Sequence, residues 1–159
     1  MSRKNIAFNA AVLLAASLTG VGAQGTQSTK KPAAAQAGPA VTVNLTPTCG
    51  CCGKWVEHLK AAGFKVATNV TTNLDAVPDR QRVPSQLRTC HTAVVGQYLV
   101  EGHVPVDVIQ KMLKEKPKIA GIAVPGMPIG SPGMEGPNPR PYSVVAFTAD
   151  GATSEYARR

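Results

Sequence analysis

Aromatic side chains are scarce in this chain: one tryptophan, three tyrosines and three phenylalanines among 159 residues. Basic residues outnumber acidic ones, 17 to 9, but without aromatics interleaved among them they offer no stacking platform for nucleic acid. The excess charge reads as a solvated surface, and no nucleic-acid partner is expected. The apolar run Ile6 to Leu18 falls short of the roughly 20 residues a bilayer-spanning helix needs. No cysteine directly follows it, so no lipid anchor is expected there. Haem attachment needs Cys-x-x-Cys-His; Gly53 follows Cys52, which excludes it.

The polar, basic Ser2-Arg3-Lys4-Asn5, the apolar run and the small residues Val21-Gly22-Ala23 together fit a secretory signal peptide over 1–23. A buried amphipathic helix would alternate with polar residues, which Ile6 to Leu18 hardly does. The chain is therefore expected to be exported to the periplasm, with no stable membrane insertion after cleavage. Losing Arg3 and Lys4 leaves 15 basic against 9 acidic residues, so the formal charge falls from +8 to +6. Residues 24–40 are Gln, Thr, Ser, Lys, Pro, Ala and Gly with little to bury, the composition of a disordered linker. A single domain over 41–151, about 110 residues, suffices for one core, and 152–159 reads as a fraying tail.

Within that domain, Val41-Thr42-Val43-Asn44-Leu45 alternates as a half-buried strand. Lys54 to Ala62 puts Trp55, Val56, Leu59 and Ala62 on one helical face, with Gly63 as its stop. Phe64 to Val70 reads as a second strand, giving the length of a parallel crossover. Pro78 and Pro84 limit 71–89 to a loop with one helical turn. Gly96-Gln97 between Thr92-Ala93-Val94-Val95 and Tyr98-Leu99-Val100-Glu101 predicts a hairpin, and Pro105 opens a helix with Val106, Ile109 and Leu113 on one face. Past Ile119, glycine and proline predict one long loop from Gly121 to Pro137 without a central strand, followed by a last strand from Tyr142 to Phe147. The order strand, helix, strand, hairpin, helix predicts an α/β, thioredoxin-like fold. That topology returns Thr89-Cys90-His91-Thr92 to the amino end of the first helix.

That amino end carries Cys49-Gly50-Cys51-Cys52-Gly53, three of the four cysteines. In an exported chain four cysteines would ordinarily make two disulfides. Crowding works against ordinary bridge geometry here, so a thiolate cluster competes with a staple. A helix amino end favours thiolate, which is both a nucleophile and a soft metal ligand. An exchange enzyme needs only Cys49 and Cys52, and the extra Cys51 would compete within it; more thiols around one point suit a metal. Cys90 adds a fourth sulfur, as ligand or as disulfide partner. His91 adds an imidazole, unless strand alternation turns it away. His103 lies in a turn, where a histidine is either a ligand or solvated, and His58 reads as surface. Met112 belongs to a helical core face, whereas Met127 and Met134 have no periodic face to bury them. Thiolate, thioether and imidazole together select copper(I), while zinc would leave the methionines without a use.

Thr48-Cys49-Gly50-Cys51-Cys52, Thr89-Cys90-His91-Thr92-Ala93, Glu101-Gly102-His103-Val104-Pro105 and Val124-Pro125-Gly126-Met127-Pro128 through Gly133-Met134-Glu135 resemble a family of small exported proteins related to CopG. These are thioredoxin-like metal-binding proteins often linked to bacterial copper resistance. The resemblance covers about Val41 to Gly151 and implies copper held by Cys49, Cys52 and Cys90 with nearby Met and His side chains. One departure from ordinary thioredoxins is Cys90-His91 where they carry a cis-proline, which argues against general disulfide exchange. The expected site is Cys49, Cys51, Cys52, Cys90, His91, His103, Met127 and Met134, holding one or more copper(I) ions under a Gly/Pro lid. Other periplasmic copper-handling proteins are the expected partners. The alternatives are a thiol-disulfide oxidoreductase using Cys49 and Cys52, and an inert disulfide-stapled binding module.

Overall fold

The computed structural model describes residues 38–159. The expected signal peptide and most of the expected linker lie outside them. Strand β1 (Ala40–Leu45), helix α1 (Gly50–Ala61) and strand β2 (Lys65–Val70) form the predicted parallel crossover, with Val41 opposite Val66 and Leu45 opposite Val70. Helix α1 begins earlier than its apolar periodicity suggests, so Cys51 and Cys52 fall inside its first turn and Cys49 is the N-cap. Its buried residues Cys52, Trp55, Val56 and Leu59 recur at helical spacing.

Between β2 and the hairpin the chain makes three short turns: 3₁₀ segments at Leu74–Ala76 and Ser85–Leu87 flank α2 (Pro78–Gln81). Pro78 starts the middle one, where a missing amide hydrogen costs nothing. The hairpin is β3 (His91–Val95) and β4 (Tyr98–Gly102), joined at Gly96 with φ +60°. Helix α3 (Val106–Glu115) is capped by Pro105 before it and by Lys116 in the left-handed region after it.

Two expectations are corrected beyond α3. Gly121–Val124 is strand β5, fully buried and parallel to β4, rather than the opening of a loop. No proline interrupts those four residues, and Gly121 is what lets them fit: a Cβ there would lie 2.2 Å from the Leu99 carbonyl oxygen. After β6 (Ser143–Phe147), the expected tail is instead β7 (Thr153–Arg158), antiparallel to β6. Tyr156 holds it down, donating to Glu115 at 3.0 Å and lying under Lys111.

The seven-stranded mixed sheet runs β2-β1-β3-β4-β5-β6-β7, and the protein is α/β as the sequence predicts. Strand alternation divides the core. Ala93, Val95, Val100, Ile122, Val124, Val144 and Ala146 pack with Trp55, Val56 and Leu59 of α1 and Val108, Ile109 and Met112 of α3. On the other face Leu99, Ala123 and Phe147 pack with Val83 and Leu87 from the segment of short turns. Register sets the site: Leu45 pairs with His91, Thr92 with Glu101, and Gly102 with Val124. The end of β1, start of β3, end of β4 and end of β5 therefore meet at one end of the sheet. Among the described residues no helix is long and apolar enough to cross a membrane.

Candidate metal centre

All four cysteines gather at that end. Cys49 and Cys52 are joined by a disulfide, with 5.3 Å between their Cα atoms. The expectation that both are thiolates is corrected for this state, as is the argument that crowding opposes a bridge. One turn of helix separates the outer pair, which brings their Cα atoms into bridging range and leaves the middle cysteine unbridged. Cys51 and Cys90 carry free thiols. The Cys51 sulfur lies 3.5 Å from that of Cys49, and the Cys52 sulfur 3.7 Å from the Cys90 carbonyl oxygen.

Two donor sets share Cys90. One is Cys49, Cys51, Cys52 and Cys90; the other is Cys90, His91 and His103; within each set the candidate ligand atoms lie inside 4.8 Å of one another. Helix α1 presents its amino end to the first set with no acidic residue in its first turn and no side-chain cap on Cys49. Unpaired amides and positive helix-end potential there favour bound thiolate.

His91 and His103 are both fully buried. His91 does not turn away from Cys90, which precedes β3 and escapes its alternation; the Cys90 sulfur lies 3.5 Å from His91 Nδ1. The His91 ring sits 4.5 Å from that of Trp55 and 5.2 Å from that of His103, centroid to centroid. His91 Nε2 is buried with no hydrogen-bond partner. Burial, and then the neighbouring His103, push the His91 pKa down to about 3, so its imidazole is neutral at physiological pH. The His103 pKa is also lowered, chiefly by burial. His103 Nδ1 donates to the Pro132 carbonyl at 2.8 Å, which leaves the Nε2 lone pair facing the Cys90 sulfur at 3.6 Å. Burial and then the charge of Cys51 push the Cys90 thiol up to about 11. Neutral imidazoles, an orphaned ring nitrogen and clustered sulfurs are a donor set that fits a soft metal ion.

The loop after β5 covers the centre. Gly133 descends between α1 and His103 with φ +83°, and a Cβ there would lie 2.7 Å from the Cys51 carbonyl oxygen and 2.8 Å from the Trp55 amide nitrogen. Glu135 clasps it, accepting from the Gly133 amide at 2.7 Å and pairing with His58 Nε2 at 2.7 Å. The Gly133 amide is the main reason the Glu135 carboxyl sits low, at about 2. His58 is thus on the surface as expected but engaged with the loop. Trp55 Nε1 donates to the Val104 carbonyl at 2.9 Å, fixing the residue beside His103 to α1.

A groove of about 460 Å³ reaches Cys51 between Gly50, Lys54, Ile129 and Met134. Met134 is half-buried in its wall, whereas Met127 is 41 % exposed at a left-handed turn and is not part of the lining. Sequence reasoning gave Glu135, Trp55 and the buried Glu101 no part in the site. The only signals for them were adjacency, Glu135 to Met134 and Glu101 to Gly102-His103.

A family model described as "Protein of unknown function, DUF411" matches residues 87–134, a span holding Cys90, His91, His103, Met127 and Met134. Comparison with curated proteins gives no match. Two solved structures of copper resistance protein CopG are similar to this chain. Form 2 is 44% identical, with a TM-score of 0.71, covering 76% of this chain and 98% of that one. Form 1 is also 44% identical, with a TM-score of 0.70, covering 77% and 98%. With that identity over nearly the whole length of those structures, and a cysteine cluster able to hold a metal ion at the end of its sheet, this chain belongs to the CopG family of copper resistance proteins.

Proposed function

We propose that this protein is an exported copper(I)-binding protein acting in copper resistance or homeostasis. The observation that carries this reading is the sharing of Cys90 between a sulfur set and an imidazole set. In the reduced protein Cys49, Cys51, Cys52 and Cys90 supply thiolates, His91 Nε2 or Nδ1 and His103 Nε2 supply imidazole nitrogens, and Met134 supplies a thioether from the groove wall. Met127, exposed on the same loop, is a ligand for copper arriving or leaving. A thiolate and thioether set of this kind favours copper in its lower oxidation state. The basic, apolar start of the sequence supports export to the periplasm, where other copper-handling proteins would be donors or acceptors. Anaerobic titration of the reduced protein with copper(I) against a chromophoric competitor tests this. Capture of the metal from the competitor is expected, and its retention by the competitor would refute the reading.

The Cys49–Cys52 disulfide favours a second reading, a thiol-disulfide oxidoreductase with Cys49 as nucleophile. The Cys51 thiol beside Cys49 weighs against it, since it competes for any mixed disulfide. Insulin reduction that survives Cys51→Ser and Met134→Leu would support this second reading.

A further inference from the structure

Cys90 and His91 are bracketed by a carboxylate that belongs to neither donor set. Glu101 lies on β4 with no exposed surface. Its Oε1 accepts from the Thr89 amide at 2.5 Å, the Thr89 hydroxyl at 3.3 Å and Arg80 Nη1 at 2.9 Å. Its Oε2 accepts from the Thr92 hydroxyl at 2.6 Å. Thr89 precedes Cys90 and Thr92 follows His91, so one carboxylate grips the dipeptide from both sides. Arg80, from α2, also donates to the Thr92 hydroxyl at 3.3 Å, and its own Nε donates to Asp75 at 3.0 Å.

The same strand end carries His103. Gly102, between Glu101 and His103, has φ +71°, and a Cβ there would lie 2.7 Å from the Val124 carbonyl oxygen and 2.9 Å from Thr89 Oγ1. Thr89 is therefore pressed against the strand that delivers His103. A buried ion pair is weak evidence for stability, because well-packed apolar residues in its place are often as stable or more so. What such a pair does supply is direction: a carboxylate with four donors holds each of them within hydrogen-bond tolerance.

We propose that Glu101, held by Arg80, is a positioning residue that sets the spacing of Cys90, His91 and His103 before metal arrives. The inference rests on the copper reading above and deepens it. Donors already in place need less ordering when the ion binds, so affinity rises without any contact between Glu101 and the metal.

Thr92→Val, which keeps the shape and removes the hydroxyl, and Thr92→Ser, which keeps the hydroxyl, separate positioning from packing; Glu101→Gln is the second perturbation. In the reduced, metal-free protein, the Val variant is expected to move the His91 and His103 ring resonances and speed Thr89 amide exchange tenfold or more. It is also expected to weaken copper(I) binding at least tenfold and alter the thiolate-to-copper absorption band. Glu101→Gln is expected to act in the same direction, and Ser to restore all four readouts. Ring resonances and amide exchange that stay as in the wild type, or a Ser variant no better than Val, would overturn the proposal. So would a lowered melting temperature with copper affinity and absorption intact. If the metal-free readouts respond as expected but wild-type protein takes up no copper, the spacing role stands and the copper reading fails.

Discussion

His103 Nε2 faces the Cys90 sulfur at 3.6 Å because its other ring nitrogen is fixed by the Pro132 carbonyl. The covering loop thus chooses the tautomer of a residue on the sheet. His103→Gln removes an imidazole donor and is expected to weaken copper(I) binding at least tenfold, since losing only a ligand's outer-shell support already costs about ten- to a hundredfold. The urea midpoint should change far less than affinity. Competitor titration and urea unfolding on the same preparation check this.

Gly133 is predicted to tolerate no side chain. Gly133→Ala meets both a left-handed backbone and the close Cys51 and Trp55 backbone atoms. The conformational part alone costs about 1–2 kcal/mol, and the contact lifts the loop. Cys51 should then alkylate faster than in the wild type, measured by mass spectrometry of timed samples. Glu135→Gln should speed it less, because it loosens the clasp to His58 without displacing the glycine.

Two pH dependences follow from opposite shifts. His91 titrates near 3 when folded and near 6.5 when unfolded. Below about pH 6.5 the unfolded chain binds a proton that the folded one refuses, so stability present above that pH is lost as pH falls toward 3. His91→Gln should flatten that slope in urea unfolding of the metal-free protein. Cys90 holds its proton up to about 11, so copper must displace it. Between about pH 6 and 8 that proton alone should strengthen copper(I) binding about tenfold per unit.

Removal of the last strand tests a feature hidden from sequence reading. A chain ending at Ala152 loses the pairing from Ser143–Arg158 to Phe147–Thr153 and exposes the edge of β6. A lower melting temperature and increased aggregation are expected, with copper binding per folded molecule retained, because β7 lies at the far edge of the sheet from β1. Light scattering alongside thermal unfolding reads both.

The site was more legible in the sequence than the sheet that carries it. Cys90 could be brought back to Cys51 because the crossover and the hairpin each left a clear periodic or turn signal. β5 was hidden because Gly121 and Pro125 bound only four residues, and its identity depends on Leu99 and Phe147 packing that no local pattern encodes. β7 was hidden because Thr153-Ser154-Glu155-Tyr156 shows no apolar alternation; pairing with β6 and the Tyr156 contacts hold it. Crowding alone argues against a Cys49–Cys52 bridge, whereas the helical turn between the two is the deciding geometry. No local pattern marks Glu101 for burial; its partners Arg80, Thr89 and Thr92, none of them adjacent to it in sequence, explain it.

Copper(I) titration of reduced wild-type protein beside Cys90→Ser, anaerobically and against the same competitor, bears most directly on the shared-sulfur site. The account predicts tight binding by the wild type and loss of most of the bound copper in the variant, with the fold retained by circular dichroism. Unchanged stoichiometry and affinity in the variant would contradict it.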